Sequence, residues 1–242
     1  MRYKAILSYD GTNYSGWQVQ CGQASIQEKI EEALEKLFGK KTPIVGSGRT
    51  DAGVHAEGQV FSFESDTNIP QIRLYKAINA HLPEDIRVLS CEQAKPDFNA
   101  RYSAKKKTYC YRLYSSEVEN PLKERFSVKI FPVDIERMKQ AGKLLVGEHD
   151  FKAFCSTGSS VKSTVRRIYS VSIKKVKEDI TITVCGNGFL YNMVRIIVGT
   201  LVGVGEGKLP LENIEKALEC GDRTLLGKTL PPKGLTLKKV YY

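Results

Sequence analysis

The sequence predicts an α+β protein whose sheet is mostly antiparallel. Strand-like segments occur at the start, in the middle and at the end of the chain, and amphipathic helical segments lie among them. The two kinds of segment do not alternate strictly, as they would in a parallel βαβ protein. A chain of 242 residues can bury a sizeable core, either as one large domain or as two lobes of ordinary size.

The first predicted unit contains the clearest helix signal of the chain. Ser25 and Glu28 form a capping box at its start, and Gly39 is expected to end it. Between them an apolar stripe recurs at helical spacing: Ile26, Ile30, Ala33, Leu34, Leu37 and Phe38. The other predicted elements of this unit are strands at 2–9, 60–64 and 86–91 and a helix at 72–81.

The second predicted unit begins with a strand at 107–114, on which Tyr109, Tyr111 and Leu113 share one face. Its later elements are helices at 135–146, 190–204 and 211–220, a hairpin of strands 168–175 and 180–185, and a closing strand at 235–241. The charged stretch 95–106, which is broken by Pro96, is the expected boundary. We therefore expect an N-terminal lobe over 1–100 and a C-terminal lobe over 101–242.

The distribution of charge predicts a polyanionic partner. The chain carries a net charge of +10, but residues 1–100 hold 11 Lys or Arg against 13 Asp or Glu, whereas residues 101–242 hold 26 against 14. Such a concentrated positive field suits a nucleic acid. The sequence contains neither a signal peptide nor an apolar run long enough to span a bilayer, so a cytoplasmic location is expected.

Motifs for cofactors and metals do not fit. The segment 221–229 ends in Gly-Lys-Thr, but a phosphate-binding loop needs four residues between its glycines and this segment has five. The glycines at 203–207 follow a predicted helix, unlike those of a dinucleotide-binding turn. The six cysteines and three histidines are scattered, so the cysteines are expected to be buried apolar residues. We expect no metal and no cofactor.

The most unusual segment is the glycine-rich stretch 46–58. Four glycines in thirteen residues disfavour both helix and strand, and they suit a tight loop that approaches a ligand. Within it, Arg49 and Asp51 are two residues apart, and a nearby guanidinium favours the ionised carboxylate that a nucleophile or base requires. An Asp-capped turn held by an Arg–Asp pair would explain the same residues without catalysis.

The segment 48–55, followed by Gly58-Gln59-Val60, resembles the signature loop of the tRNA pseudouridine synthase A family. The resemblance covers essentially the whole chain. One such motif could occur by chance, but this many in the family's order could not. The motifs are the segments 9–18, 25–28, 79–83, 98–104, 107–111, 147–151 and 193–201.

The resemblance implies a function and a set of site residues. Asp51 would be the essential catalytic residue, Tyr109 would stack on the target base, and Arg195 would pair with the carboxylate. Arg49 would help to extrude the target nucleotide. The family further implies action on uridines 38, 39 and 40 in the tRNA anticodon arm, a homodimer, and two RRM-like lobes whose sheets adjoin across a central basic cleft.

Phosphate contacts are expected from the basic second part of the chain. The candidates are Arg101, Lys105, Lys106, Lys107, Lys162, Arg166 and Arg167. Two other classes of function remain as alternatives: a non-catalytic RNA-binding module and a metal-dependent nuclease. The nuclease ranks last because it needs clustered carboxylates, and only Glu57 lies near Asp51 in sequence.

Overall fold

A computed structural model describes residues 1–158 and 161–242 of the chain. The strands are β1 (Arg2–Tyr9), β2 (Val45–Gly46), β3 (His55–Glu64), β4 (Ile86–Gln93), β5 (Lys106–Ser115), β6 (Val128–Ile130), β7 (Gly147–Asp150), β8 (Val165–Val176), β9 (Asp179–Gly186) and β10 (Leu235–Tyr241). The helices are α1 (Ile26–Phe38), α2 (Gln71–Asn79), α3 (Ile135–Leu144), α4 (Met193–Gly205) and α5 (Glu212–Cys220). Short 3₁₀ helices lie at Lys152–Phe154, Arg223–Leu225 and Pro232–Gly234.

The chain divides into two compact units, one formed by residues 1–105 with 236–242 and the other by residues 106–235. In the first unit the strand order is β4-β1-β3-β10, and β2 lies beside β3. β1 is antiparallel to both β3 and β4, whereas β10 runs parallel to the beginning of β3. The C-terminal strand is thereby paired with the residues that directly follow the glycine-rich loop.

The helix α1 forms as its sequence predicts. The Ser25 hydroxyl accepts a hydrogen bond from the Glu28 N–H at 3.3 Å, and Gly39 ends the helix in the left-handed conformation at φ 68°. The apolar side of α1 is buried, and Phe38 at its end stacks on Phe63 of β3 with ring centroids 6.2 Å apart. Aliphatic and aromatic side chains therefore pack α1 against the sheet of the first unit.

In the second unit the strand order is β5-β9-β8-β7, with antiparallel pairing throughout, and the short β6 runs parallel to β5. The predicted hairpin is confirmed: Val176 pairs with Asp179, and Lys177 in the turn takes a positive φ of 54°. Helix α3 packs against α4, where a Cβ on Gly205 would lie 2.7 Å from the Met138 side chain. A larger residue at 205 would therefore have to displace the Met138 side chain.

The predicted fold class is confirmed, since the protein is α+β and its sheet pairing is largely antiparallel. Short strands were missed: β2, β6 and β7 have two to four residues each, too few to show an alternating pattern. The expectation that all six cysteines are buried was wrong, because Cys21 and Cys220 are exposed. Among residues 1–158 and 161–242, none of the helices is long and apolar enough to cross a membrane.

Candidate active site

The glycine-rich loop connects β2 to β3 and is fastened to β3 by one buried side chain. Gln59 is fully buried; its Oε1 accepts a hydrogen bond from the Ser47 hydroxyl at 2.5 Å, and its Nε2 donates to the Gly48 carbonyl at 3.0 Å. The Ser47 N–H also donates to the Val60 carbonyl at 2.7 Å. A buried amide that satisfies two loop residues at once gives the start of the loop a single position.

Thr50 anchors the centre of the loop to the core of the first unit. Its side chain is buried, and its Oγ1 lies 2.7 Å from the hydroxyl of Tyr9 on β1. Burial raises the pKa of Tyr9, so this phenol stays neutral at ordinary pH. The flanking residues differ, because Arg49 is exposed and Asp51 is half-buried. Thr50 is therefore fixed in the core, and the adjacent Asp51, the candidate catalytic residue, remains partly accessible to solvent.

The segment between β1 and α1 supports the loop from the other side. The Trp17 N–H donates to the Thr50 carbonyl at 3.0 Å, and the Gly53 N–H donates to the Tyr14 carbonyl at 3.3 Å. Gly16 has a φ of 98°, and a Cβ there would lie 2.6 Å from the Thr50 carbonyl oxygen. Backbone contacts at this distance need glycine, so two separate chain segments hold Asp51 in place.

His55, the first residue of β3, has a structural environment. The residue is 3% exposed, and its Nδ1 lies 3.0 Å from both the Gly11 amide nitrogen and an Asp10 carboxylate oxygen. One nitrogen cannot accept from the amide and donate to the carboxylate at the same time, so the tautomer and charge of the ring decide which contact forms. In either state His55 ties the turn after β1 to the end of the loop.

Tyr109 lies on β5 in the second unit, opposite Val184 of β9. Its side chain is 9% exposed, and its ring meets the Phe189 ring edge to face, with centroids 5.1 Å apart and an interplanar angle of 85°. This contact fixes the plane of the tyrosine ring. A ring with a fixed plane is suited to stacking on a planar ligand because little side-chain entropy remains to be lost.

Arg195 lies in the first turn of α4. Every residue of this helix except Arg195 and Gly203 is buried. The arginine is half-buried: its Nε donates to the Leu230 carbonyl at 2.7 Å and its Nη1 donates to the Asn192 side-chain oxygen at 2.6 Å. A half-buried arginine in an otherwise apolar helix is costly without polar partners, and these two contacts supply them.

The expected RNA-contacting residues have different environments. Arg101 is exposed on a turn organised by Asn99, whose side-chain oxygen accepts the N–H groups of residues 101 and 102. Lys107 is half-buried at the start of β5. Arg167 is exposed and pairs with Glu148 at 3.3 Å, an interaction worth little in water. Arg166 is half-buried, and its Nη1 donates to two carbonyls of its own segment, those of Ser163 and Val165.

Within one unit, the structure brings Arg49 and Asp51 onto the same loop; Tyr109, Arg166, Arg167 and Arg195 all belong to the other unit. The pairing of Asp51 with Arg49 or Arg195, and its approach to Tyr109, stay predictions. The neighbouring carboxylate Glu57 pairs with Lys238. In the described part of the chain, no group of three or more His, Cys, Asp or Glu side chains could hold a metal ion.

Three structural contributors were missed in the sequence: Thr50, Gln59 and Asn192. Thr50 and Gln59 lie inside the loop motif, but nothing local distinguishes a buried anchor from a polar loop residue. Tyr102 was also passed over; it is 79% exposed, and the Arg101 guanidinium lies 5.7 Å from the centroid of its ring. An aromatic residue beside an arginine in a basic stretch is a signal that could have been used.

Known proteins that resemble this chain match it along nearly its whole length. The tRNA pseudouridine synthase family matches residues 5–103 and 141–242. A tRNA pseudouridine synthase A of Brevibacillus brevis is 44% identical over 242 residues, which are 100% of this chain and 99% of that protein. A tRNA pseudouridine synthase A 2 of Clostridium perfringens is 46% identical over 242 residues, with 99% and 98% of the two chains covered.

These matches include the loop that carries Asp51 and the helix that carries Arg195. The family match and the similar relatives show that the chain is an isomerase of the pseudouridine synthase class. Within that class, the chain belongs to the tRNA pseudouridine synthase family.

Proposed function

We propose that the protein converts uridine to pseudouridine at positions 38, 39 and 40 of the tRNA anticodon arm, with Asp51 as the nucleophile. The reaction breaks the bond between ribose and uracil N1, turns the base, and rejoins it through C5. Neither electrons nor phosphoryl groups are transferred, so the reaction as written needs no redox cofactor and no nucleotide. A carboxylate can attack the sugar or the base, or deprotonate the ribose.

The observation that carries the proposal is the support of the Asp51 loop. Buried side chains from β1 and β3 and backbone contacts from the segment before α1 fix a loop whose carboxylate remains partly accessible. Elaborate support beneath one accessible ionisable group is what a reactive group requires, because misplacement by about 1 Å can slow a reaction about 100-fold. A module that only binds RNA has no need for it.

In the proposed site, Arg195 and Arg49 keep Asp51 ionised, since a guanidinium beside a carboxylate lowers its pKa. Arg49 also helps to extrude the target nucleotide. The uridine must leave its stack at a cost of a few kcal/mol, and stacking on Tyr109 returns about 1–3 kcal/mol. Arg101, Lys107, Arg166 and Arg167 hold phosphates, which positions the RNA without reading its sequence.

We further propose RRM-like topology with a basic cleft and a homodimer, which the family resemblance implies. An N-terminal lobe, residues 1–100, that carries the catalytic loop, a basic C-terminal lobe, residues 101–242, and a cytoplasmic location are proposed from the sequence itself. The test of the function itself is to incubate unmodified tRNA with the purified protein and to map pseudouridine at each position. Pseudouridine at 38, 39 and 40 is expected; modification confined to other positions would overturn the anticodon-arm assignment.

Tyr109 provides a separate test of base stacking. Tyr109→Ala removes the ring and should weaken binding of a tRNA substrate by about 1–3 kcal/mol, because one base–aromatic stack is lost. Tyr109→Phe keeps the ring and its edge contact with Phe189, so its binding should equal that of the unaltered protein. Equilibrium binding of the two variants measures the difference, and identical affinities for Phe and Ala would argue against stacking.

The phosphate contacts predict a steep dependence of tRNA affinity on salt. The logarithm of the binding constant should fall linearly with the logarithm of salt concentration. Arg101→Gln and Lys107→Gln should each reduce that slope by about one while weakening all tRNAs alike. Lys36→Gln, on α1 in the less basic part of the chain, is the matched control and should leave the slope unchanged. A slope unaffected by either of the first two changes would remove that residue from the RNA interface.

A further inference from the structure

We infer that Asn192 is a positioning residue that orients the guanidinium of Arg195, an inference that rests on the proposed function of Arg195 at the catalytic carboxylate. Asn192 directly precedes α4, and its Oδ1 accepts the hydrogen bond from Arg195 Nη1 at 2.6 Å. The Leu230 carbonyl accepts from Nε at 2.7 Å. Acceptors at two different nitrogens of a planar guanidinium fix its rotation as well as its position.

The Asn192 side chain is itself oriented. Its amide Nδ2 donates to the Ser156 hydroxyl at 3.0 Å, and the Ser156 N–H donates to the Tyr191 carbonyl at 3.2 Å. An arginine can only donate, so the amide oxygen must face Arg195 and the amide nitrogen must face Ser156. Asn192 has a φ of 60°, a left-handed conformation that asparagine adopts more readily than most residues. The residue type therefore suits both the backbone and the contact.

The second acceptor, the Leu230 carbonyl, is also held in place by its surroundings. The segment 227–230 packs directly on α4, where a Cβ on Gly199 would lie 1.8 Å from the Lys228 carbonyl oxygen. The Gly227 N–H donates to Thr200 Oγ1 at 3.1 Å, and Tyr111 donates to the Pro231 carbonyl at 2.5 Å. Burial raises the pKa of Tyr111, although the charge of Arg195 opposes the shift, so the phenol keeps its proton. The Leu230 carbonyl thus has a fixed place relative to Arg195.

Both positioning partners are uncharged, and this matters for the role of Arg195. A carboxylate in either place would hold the guanidinium equally well, but it would neutralise the charge that the proposed mechanism directs at Asp51. An amide oxygen and a backbone carbonyl orient the group without neutralising its charge. A guanidinium has five N–H donors, so two such contacts do not exhaust its capacity.

The test is a double-mutant cycle read by single-turnover isomerisation of tRNA, followed for hours so that slow variants can be measured. Asn192→Gly tolerates the positive φ and removes only the side chain. It should slow single turnover about 10- to 100-fold, because a hydrogen bond to a charged group is lost, while tRNA affinity changes less than about twofold. In an Arg195→Lys background, where Nε and Nη1 are absent, the same change should slow turnover by less than about twofold.

Asn213→Ala controls for structure, because it removes another asparagine hydrogen bond in the same unit, from Nδ2 to the Leu225 carbonyl. It should lower the melting temperature without changing the single-turnover rate. Ser156→Ala removes the hydrogen bond that supports Asn192 and introduces no glycine. It should slow turnover about 2- to 10-fold in the unaltered background and leave turnover unchanged in the Arg195→Lys background. This variant replaces Asn192→Gly in the test if Asn192→Gly does not fold.

Equal slowing by Asn192→Gly in both backgrounds, or no slowing in the first, would show that Asn192 does not act through Arg195. If Ser156→Ala has to serve, the same two results for it overturn the inference. Full activity of Arg195→Lys alone would instead contradict the proposed role of Arg195, and the inference with it. That outcome is distinguishable because it appears before residue 192 is altered.

Discussion

Asp51→Ala is expected to abolish pseudouridine formation while the protein still binds tRNA. Removing the nucleophile of a covalent mechanism typically costs about 10⁴-fold or more. Tritium release from C5-labelled uridine in tRNA measures the reaction, because the C5 hydrogen is lost when the new glycosidic bond forms. Binding should persist because phosphate contacts from other residues supply most of the affinity.

Asp51→Asn sharpens this test, because it keeps the shape and removes the charge. It should be as inactive as the alanine variant if the carboxylate itself reacts. Asp66→Ala is the matched control: Asp66 also belongs to the first unit, its side chain is 84% exposed, and it pairs with Lys40. This variant should retain full activity. Tritium release by Asp51→Ala at the unaltered rate would remove the central residue of the proposal.

The alternative of a purely structural turn at Asp51 can be tested through stability. The turn after Asp51 is closed by its backbone carbonyl, which accepts the Val54 N–H at 3.1 Å, and Gly53 supplies the left-handed conformation at φ 73°. Neither feature depends on the carboxylate. We therefore expect Asp51→Ala to preserve the turn and to lower the free energy of unfolding only by what the contacts of the carboxylate itself contribute, about 1–3 kcal/mol. A large loss of stability with retained activity would favour the structural interpretation.

Much of the fold could be predicted because local signals agree with the final packing. The capping box at Ser25 and Glu28 defines α1, and the alternation on 107–114 defines β5. The start of β3 could not be predicted, because its first residues include Gly58. That glycine is explained only by the partner strand, since a Cβ there would lie 2.5 Å from the Lys238 carbonyl oxygen of β10.

The candidate site divides in the same way. Asp51 could be singled out as a candidate because unusual composition surrounds it, and Tyr109 and Arg195 because they lie in motifs that resemble those of a known family. The support of these residues could not be found, because it depends on contacts distant in sequence: Thr50 bonds to Tyr9, and Arg195 bonds to the Leu230 carbonyl. A sequence shows which reactive groups are present, whereas the residues that hold those groups in position are set by the tertiary fold.

Gly16→Ala is expected to impair catalysis strongly although residue 16 carries no reactive group. The new Cβ would lie 2.6 Å from the Thr50 carbonyl oxygen and 3.1 Å from the Ala52 nitrogen, so the backbone on both sides of Asp51 would have to move. The clash together with the positive φ of 98° should cost about 2–4 kcal/mol of stability. A displacement of Asp51 by about 1 Å should lower kcat/KM about 100-fold.

Gly22→Ala provides the control that isolates the close approach. Gly22 lies in the same segment between β1 and α1 and also has a positive φ, 73°, but a Cβ there would meet nothing within 4 Å. Alanine at 22 should therefore cost only the backbone strain, about 1–2 kcal/mol, and leave kcat/KM within about twofold. Steady-state kinetics and chemical denaturation of both variants distinguish the two effects. Equal losses of activity at 16 and 22 would mean that general destabilisation is the cause; a loss confined to 16 means that the backbone of this segment sets the position of the catalytic carboxylate.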